Sequence, residues 1–251
     1  MVLFVPTAFL AGESLFRNAP AGQYILLLAS GALGIGAGDT LFFMSLNRLG
    51  AGLTAVVDCL YSPFVIGLSI LFLAERLTAL QGLGAALIVA AVYVATFRGK
   101  AGGISRRDLA WGIVFGVLAH AAMAVGIVMI KPLLERSPLI WVTEVRIVGG
   151  VAALAAVLSF MPRRRAILAS LSAVASWRYT LAGSFVGAYL AMLFWLAGMK
   201  YAPASIAAAL NQTSNAFVFV FAALFLRERI TGRRLAGIIA ALIGAYLVSF
   251  G

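Results

Sequence analysis

Apolar runs of about 20 residues, cut only by short charged or Pro/Gly punctuation, recur along nearly all of the 251 residues. Once such a run leaves water, its backbone N–H and C=O groups must be satisfied within the segment itself, which commits the chain to membrane-spanning helices. Barrel strands would instead read as about ten residues of alternating polarity. Eight runs qualify: Tyr24 to Leu46, Gly52 to Leu73, Leu80 to Phe97, Leu109 to Ile130, Leu139 to Phe160, Tyr179 to Met199, Ala204 to Leu226 and Leu235 to Phe250. Composition leads to the same place, since 63% of residues are hydrophobic and 11% charged, against roughly 25% charged in soluble domains. Soluble enzymes, DNA-binding modules and disordered chains are excluded. The expectation is an all-α polytopic membrane protein of eight full transmembrane helices, with Met1 to Leu10 as the tail of a partial N-terminal one.

The net charge of +11 is a property of loops. When the spans alternate across the bilayer, 13 of the 19 Lys and Arg fall on one side and 5 on the other, with Arg146 inside a span. The positive-inside rule makes the richer side cytoplasmic, where anionic lipid rather than nucleic acid is the partner, and puts Gly251 outside. Cys59 is the sole cysteine and His120 the sole histidine. Neither an internal disulfide nor a cysteine cluster can form, and an HExxH zinc site lacks its second histidine. No metal, cofactor or catalytic residue is expected.

Sliding the chain on itself brings Phe72-Leu73-Ala74-Glu75-Arg76-Leu77-Thr78 onto Phe225-Leu226-Arg227-Glu228-Arg229-Ile230-Thr231, 153 residues on. The same register aligns Gly34 with Gly187, Ala51 with Ala204, Phe64 with Phe217, Gly84 with Gly237 and Tyr93 with Tyr246. Five spans separate Glu75 from Glu228, an odd number, so the copies are oppositely oriented. This predicts an inverted-repeat helix bundle, the architecture that lets two halves of a transporter exchange outward-open and inward-open shapes around a central site.

Gly38-Asp39-Thr40-Leu41-Phe42-Phe43, Ser62-Pro63-Phe64 and Leu73-Ala74-Glu75-Arg76-Leu77-Thr78 together resemble the first EamA-type repeat of permeases in the drug/metabolite transporter superfamily, and Asn211 to Gly237 resembles the second. The resemblance implies a first repeat over 1–98, N-terminally incomplete, a basic connecting loop over 99–108 and a second repeat over 109–251. It also implies ten helices as five plus five, which would place the first helix and most of the second ahead of Met1, and both termini in the cytoplasm, against the charge count. Glu75, Arg76, Thr78 and their partners Glu228, Arg229 and Thr231 sit at helix corners as structural motif residues.

Ionisable residues inside spans normally face a cavity or a partner. Asp58 leads, because the repeat sets it opposite Asn211, the first residue of a polar island Asn211-Gln212-Thr213-Ser214-Asn215. Asn211 and Asn215 share a helix face. Asp58, Asn211, Asn215, Asp39 and Gln212 are substrate-binding candidates, with Tyr61, Tyr189 and Trp195 as aromatic walls, and interhelical hydrogen bonding or bundle packing as the plainer account of each. Asp58, Asp39 and His120 are candidates for proton coupling, with a neutral histidine hydrogen-bonded within the bundle as the plainer account of His120. Glu144 and Arg146, in the first two turns of their span, point to different faces and need not pair with each other; each reads more simply as a group near the surface that snorkels or joins an ion pair. Gly112-x-x-x-Gly116 and Gly183-x-x-x-Gly187 predict faces for close helix packing.

These features suggest a multi-pass secondary transporter of a bacterial or archaeal cytoplasmic membrane that moves a small organic metabolite, in the export direction, with a proton as candidate coupling ion. Neither a Walker motif nor a GxSxG nucleophile motif occurs in the sequence. The alternatives are a non-transporting partner subunit or fragment that takes helices from another chain and, more remotely, an intramembrane enzyme. Substrate identity and oligomeric state, a homo-oligomer included, are left open.

Overall fold

The computed structural model describes residues 4, 6–7, 12, 17–97, 104–162, 164–172, 177–226 and 232–251, with backbone alone for 94–97, 168, 170–172 and 233–234. Among the described residues all regular structure is helical. We number the helices α1 (Ala21–Leu49), α2 (Ala51–Leu73), α3 (Ala79–Phe97), α4 (Arg106–Val128), α5 (Lys131–Arg136), α6 (Leu139–Phe160), α7 (Arg164–Ser172), α8 (Trp177–Tyr201), α9 (Ala204–Phe225) and α10 (Gly232–Phe250). Six of them, α1, α2, α4, α6, α8 and α9, are long and apolar enough to cross a membrane. The two other expected spans lie on α3 and α10, whose apolar stretches Ala79–Tyr93 and Leu235–Phe250 are shorter.

Helix ends follow local chemistry. Gly50 links α1 to α2 with φ of 75°, a conformation that costs any residue with a Cβ. Its N–H donates to Leu46 O at 2.9 Å and closes α1. At the start of α3, Thr78 N donates to Gln81 Oε1 at 3.0 Å and Gln81 N to Thr78 Oγ1 at 3.2 Å, the reciprocal box that satisfies two orphan donors. Thr78 and Gln81 also donate to Gly251 O and Val248 O, which ties α3 to the end of α10. Pro138 is the cap residue of α6, and Ser137 before it offers its carbonyl to Lys200 Nζ at 2.5 Å.

Two packed groups build the bundle. α1 lies against α4 and α6, while α3 lies along α10; α2 and α9 run between these groups. Close approach depends on missing side chains: a Cβ on Gly31 would stand 1.8 Å from Arg146 O, and one on Gly149 2.2 Å from Leu28 O. One core gathers Leu27, Val65, Trp141 and Leu196, and a second gathers Ile88, Phe219, Ile238 and Val248. Phe72, Phe225 and Tyr246 are exposed, as side chains that meet lipid acyl chains are.

Candidate functional site

The polar sequence islands coincide with breaks in two helices. α2 runs as Ala51–Asp58, loosens over Cys59 and Leu60, and resumes as Tyr61–Leu73. α9 runs as Ala204–Asn211, loosens at Gln212, and resumes as Thr213–Phe225. In both, the backbone tightens to i→i−3 bonding, from Cys59 N to Val56 O at 3.2 Å and from Gln212 N to Ala209 O at 3.0 Å. Pro63, which has no N–H, cannot donate to the turn before it and so favours the α2 break, whereas its register partner in α9 is Ala216. Asp58 and Asn211 therefore end their half-helices 153 residues apart. The register also relates a second pair of irregularities, the π-helical stretches Ala32–Asp39 of α1 and Ser184–Leu190 of α8.

Between these helices lies a cavity of about 150 Å³. It brings together Asp39 from α1, Asp58 and Tyr61 from α2, His120 from α4, Trp195 from α8 and Asn211 from α9, all singled out from sequence. Ile35, Met123 and Met192 supply its apolar lining. Asp39 ends the glycine-rich π stretch, whose wider turn carries an unusual hydrogen-bond pattern of the kind often found at functional sites.

His120 is 1% exposed, with the Phe42 ring nearly perpendicular to its own at 6.0 Å between ring centres. Nδ1 lies 2.6 Å from Gly116 O, and Nε2 contacts Asp58 Oδ1. A carbonyl only accepts, so Nδ1 carries a hydrogen. Nε2 then meets the carboxylate either as the second N–H of an imidazolium or as the acceptor from a protonated carboxyl. In both forms the pair holds one proton beyond that on Nδ1 and is neutral overall.

Arg146 overturns the surface reading. It is 2% exposed, lines the cavity, and places its guanidinium carbon 5.5 Å from the Trp195 ring centre. Nε donates to Ser30 Oγ at 3.0 Å, and Ser30 Oγ donates to Gly126 O. Glu144 is also buried rather than surface-paired. The first two turns of α6 are deeply covered, which distance from a span end does not reveal. A sequence signal did exist: Arg146 is the only Lys or Arg inside an expected span.

Gln212, Asn215 and Tyr189 are absent from the lining. Asn215 Nδ2 donates to Gln212 Oε1 at 2.8 Å and to Cys59 Sγ at 3.6 Å, and Gln212 Nε2 donates to Ala208 O at 3.4 Å. These bonds bridge the α9 break and fasten it to the α2 break, the interhelical role. Tyr189 packs on Phe4 and Phe185 and shares a 2.5 Å hydrogen bond with Thr7. Glu75 works at a distance along the chain: Oε1 accepts from Ala204 N at 2.8 Å and Oε2 from Ser205 N at 3.2 Å, so the first motif glutamate caps α9. Arg76 is exposed, and Glu228, Arg229 and Thr231 lie outside the described residues.

The comparisons agree with this architecture. A solved crystal structure aligns with 99% of this chain and 84% of its own at a TM-score of 0.71 and 16% identity, a likeness of fold. An uncharacterized transporter of Archaeoglobus fulgidus is 25% identical over 224 residues, covering 89% of this chain and 75% of that protein. The EamA-like transporter family matches residues 1–97 and again 110–250. With nearly the whole helical chain matched in two successive segments, this multi-pass membrane protein belongs to the EamA-like transporter family.

Proposed function

We propose that the chain is a secondary transporter that exports a small organic solute by alternating access, with the cavity at the paired helix breaks as its solute site. The carrying observation is that two helices related by the 153-residue register break at Asp58 and Asn211 and turn both polar ends into one cavity. Broken helices at an inverted-repeat interface expose half-helix ends and side chains to a solute near the midplane, while the rest of each helix stays lipid-compatible. Eight complete crossings in two oppositely oriented repeats, over 1–98 and 109–251, are part of this reading, with the arginine-rich side cytoplasmic.

The His120–Asp58 pair is the coupling site. It holds one transferable proton, and Asp39, Tyr61, Asn211 and Arg146 face the same cavity, with Cys59 next to Asp58 in the chain. Solute and proton then compete for, or share, one enclosure, so that a proton gradient supplies the driving force. Reconstituted protein with an imposed pH gradient tests this. A panel of amines, amino acids, monocarboxylates, nucleosides and sugars should yield a solute whose flux responds to the gradient, and Asp58→Asn and His120→Gln should abolish that response. Unchanged gradient dependence in both folded variants would remove the pair from the mechanism.

A second reading, a subunit completed by another chain, draws on one observation: among the described residues, nothing lies within 4 Å of where a Cβ on Gly183 or Gly187 of α8 would stand. The mass of the particle in nanodiscs, one chain or several, separates the two.

A further inference from the structure

The geometry points to Arg146 as the receptor for a carboxylate on the transported solute. This inference rests on the transport reading and adds a chemical class to it. Arg146 is 2% exposed within a span, yet among the described residues no carboxylate lies within ion-pairing distance of it. Its Nε is used by Ser30, whereas Nη1 is buried in a wall of the cavity with no hydrogen-bond partner among the described residues. A guanidinium carries five donors and is not neutralised by losing a proton in proteins. An enclosed cation of this kind is costly unless a counter-charge arrives. The Trp195 face, 5.5 Å away, offsets part of that cost but takes up none of the N–H groups.

The charges around the cavity favour an anion of the lowest charge. His120 and Asp58 cancel each other in either placement of their shared proton. That leaves Arg146 and Asp39, opposite charges that sum to zero with Asp39 ionised and to one positive charge with Asp39 protonated. A phosphate dianion would bring two negative charges to one guanidinium with Asp39 in the same enclosure. A carboxylate brings one, and its two oxygens match the fork of N–H donors. The Tyr61 ring, Trp195, Met123 and Met192 then accept an apolar or aromatic body behind the charged end.

The test is thermal unfolding of the purified full chain with matched probes: butyrate and phenylacetate against butyramide, phenylacetamide, phenethylamine and inorganic phosphate. Ligand binding to the folded state raises the melting temperature by mass action. A carboxylate at about 100 times its Kd should give a rise of roughly 5 °C or more, with no rise from the amide or amine of the same shape. Arg146→Gln should lose the effect, and Arg146→Lys should keep part of it because it restores the charge without the fork. The carboxylate-against-amide comparison on wild type stands even if both variants fail to fold. Stabilisation by amines, amides or phosphate but not by carboxylates overturns the inference and leaves the transport reading intact. A folded wild type that no probe stabilises, and that passes none of them in proteoliposomes, counts against both.

Discussion

α1 and α8 are register partners that share a π-helical stretch and a small-residue pattern, yet the chain treats them differently. α1 is clasped by α4 and α6, with Gly31 and Gly149 at van der Waals contact with backbone. Almost none of α8 is buried, and Gly183-x-x-x-Gly187, expected from sequence to pack closely, faces open space among the described residues. By contrast Gly112-x-x-x-Gly116 does pack, against Leu49 and Val57. A small-x-x-x-small pattern allows two backbones to approach; it does not provide the second backbone. The same lesson applies to the helix breaks. Register gives α2 and α9 the same geometry, but one break ends in a carboxylate paired with His120 and the other in an amide.

Making the breaks alike is the most severe perturbation. Asp58→Asn should reduce pH-driven flux to background while the melting temperature moves little, because the amide N–H can donate to Nε2 of a neutral His120 while Nδ1 keeps its bond to Gly116 O; retained gradient-driven flux would remove the functional asymmetry of the two breaks. Next comes Gly31→Ala, whose Cβ would meet Arg146 O at 1.8 Å. Overpacking of this sort should destabilise by about 3 kcal/mol, read as a lower unfolding temperature in detergent. Removing the link between the halves is milder: Glu75→Ala strips two backbone N–H groups of α9 of their acceptor and should lower stability by about 1 kcal/mol in the same assay. Gly187→Ala should be neutral or stabilising by up to about 1 kcal/mol, since helix propensity rises and no described residue is met. A loss there as large as at Gly31 would mean that the α8 face is covered in the membrane.

Sequence carried the class of fold because a bilayer leaves few choices: long apolar runs become helices, and their punctuation marks the ends. It also carried much of the cavity. Asp39, Asp58 and His120 stood out because ionisable groups are rare in spans, and Asn211 because the repeat set it opposite Asp58. What failed was direction. Gln212 and Asn215 belong to the same polar island as Asn211, but the helix break turns them toward the backbone and Cys59 rather than the cavity. Tyr189 and Trp195 lie on one helix and point to different neighbours. The distance of Arg146 from the end of its span points to the surface, whereas its burial is set by α1 closing over the start of α6.

The most direct test of the account is two-sided access to the cavity. Cys59 is the sole cysteine, so a Cys59→Ala background carrying Met192→Cys places one thiol in the lining. A membrane-impermeant maleimide should label it from either face of sealed vesicles, and reversing the pH gradient should exchange the faster side for the slower. Labelling from one face alone under both gradients would contradict alternating access through this cavity.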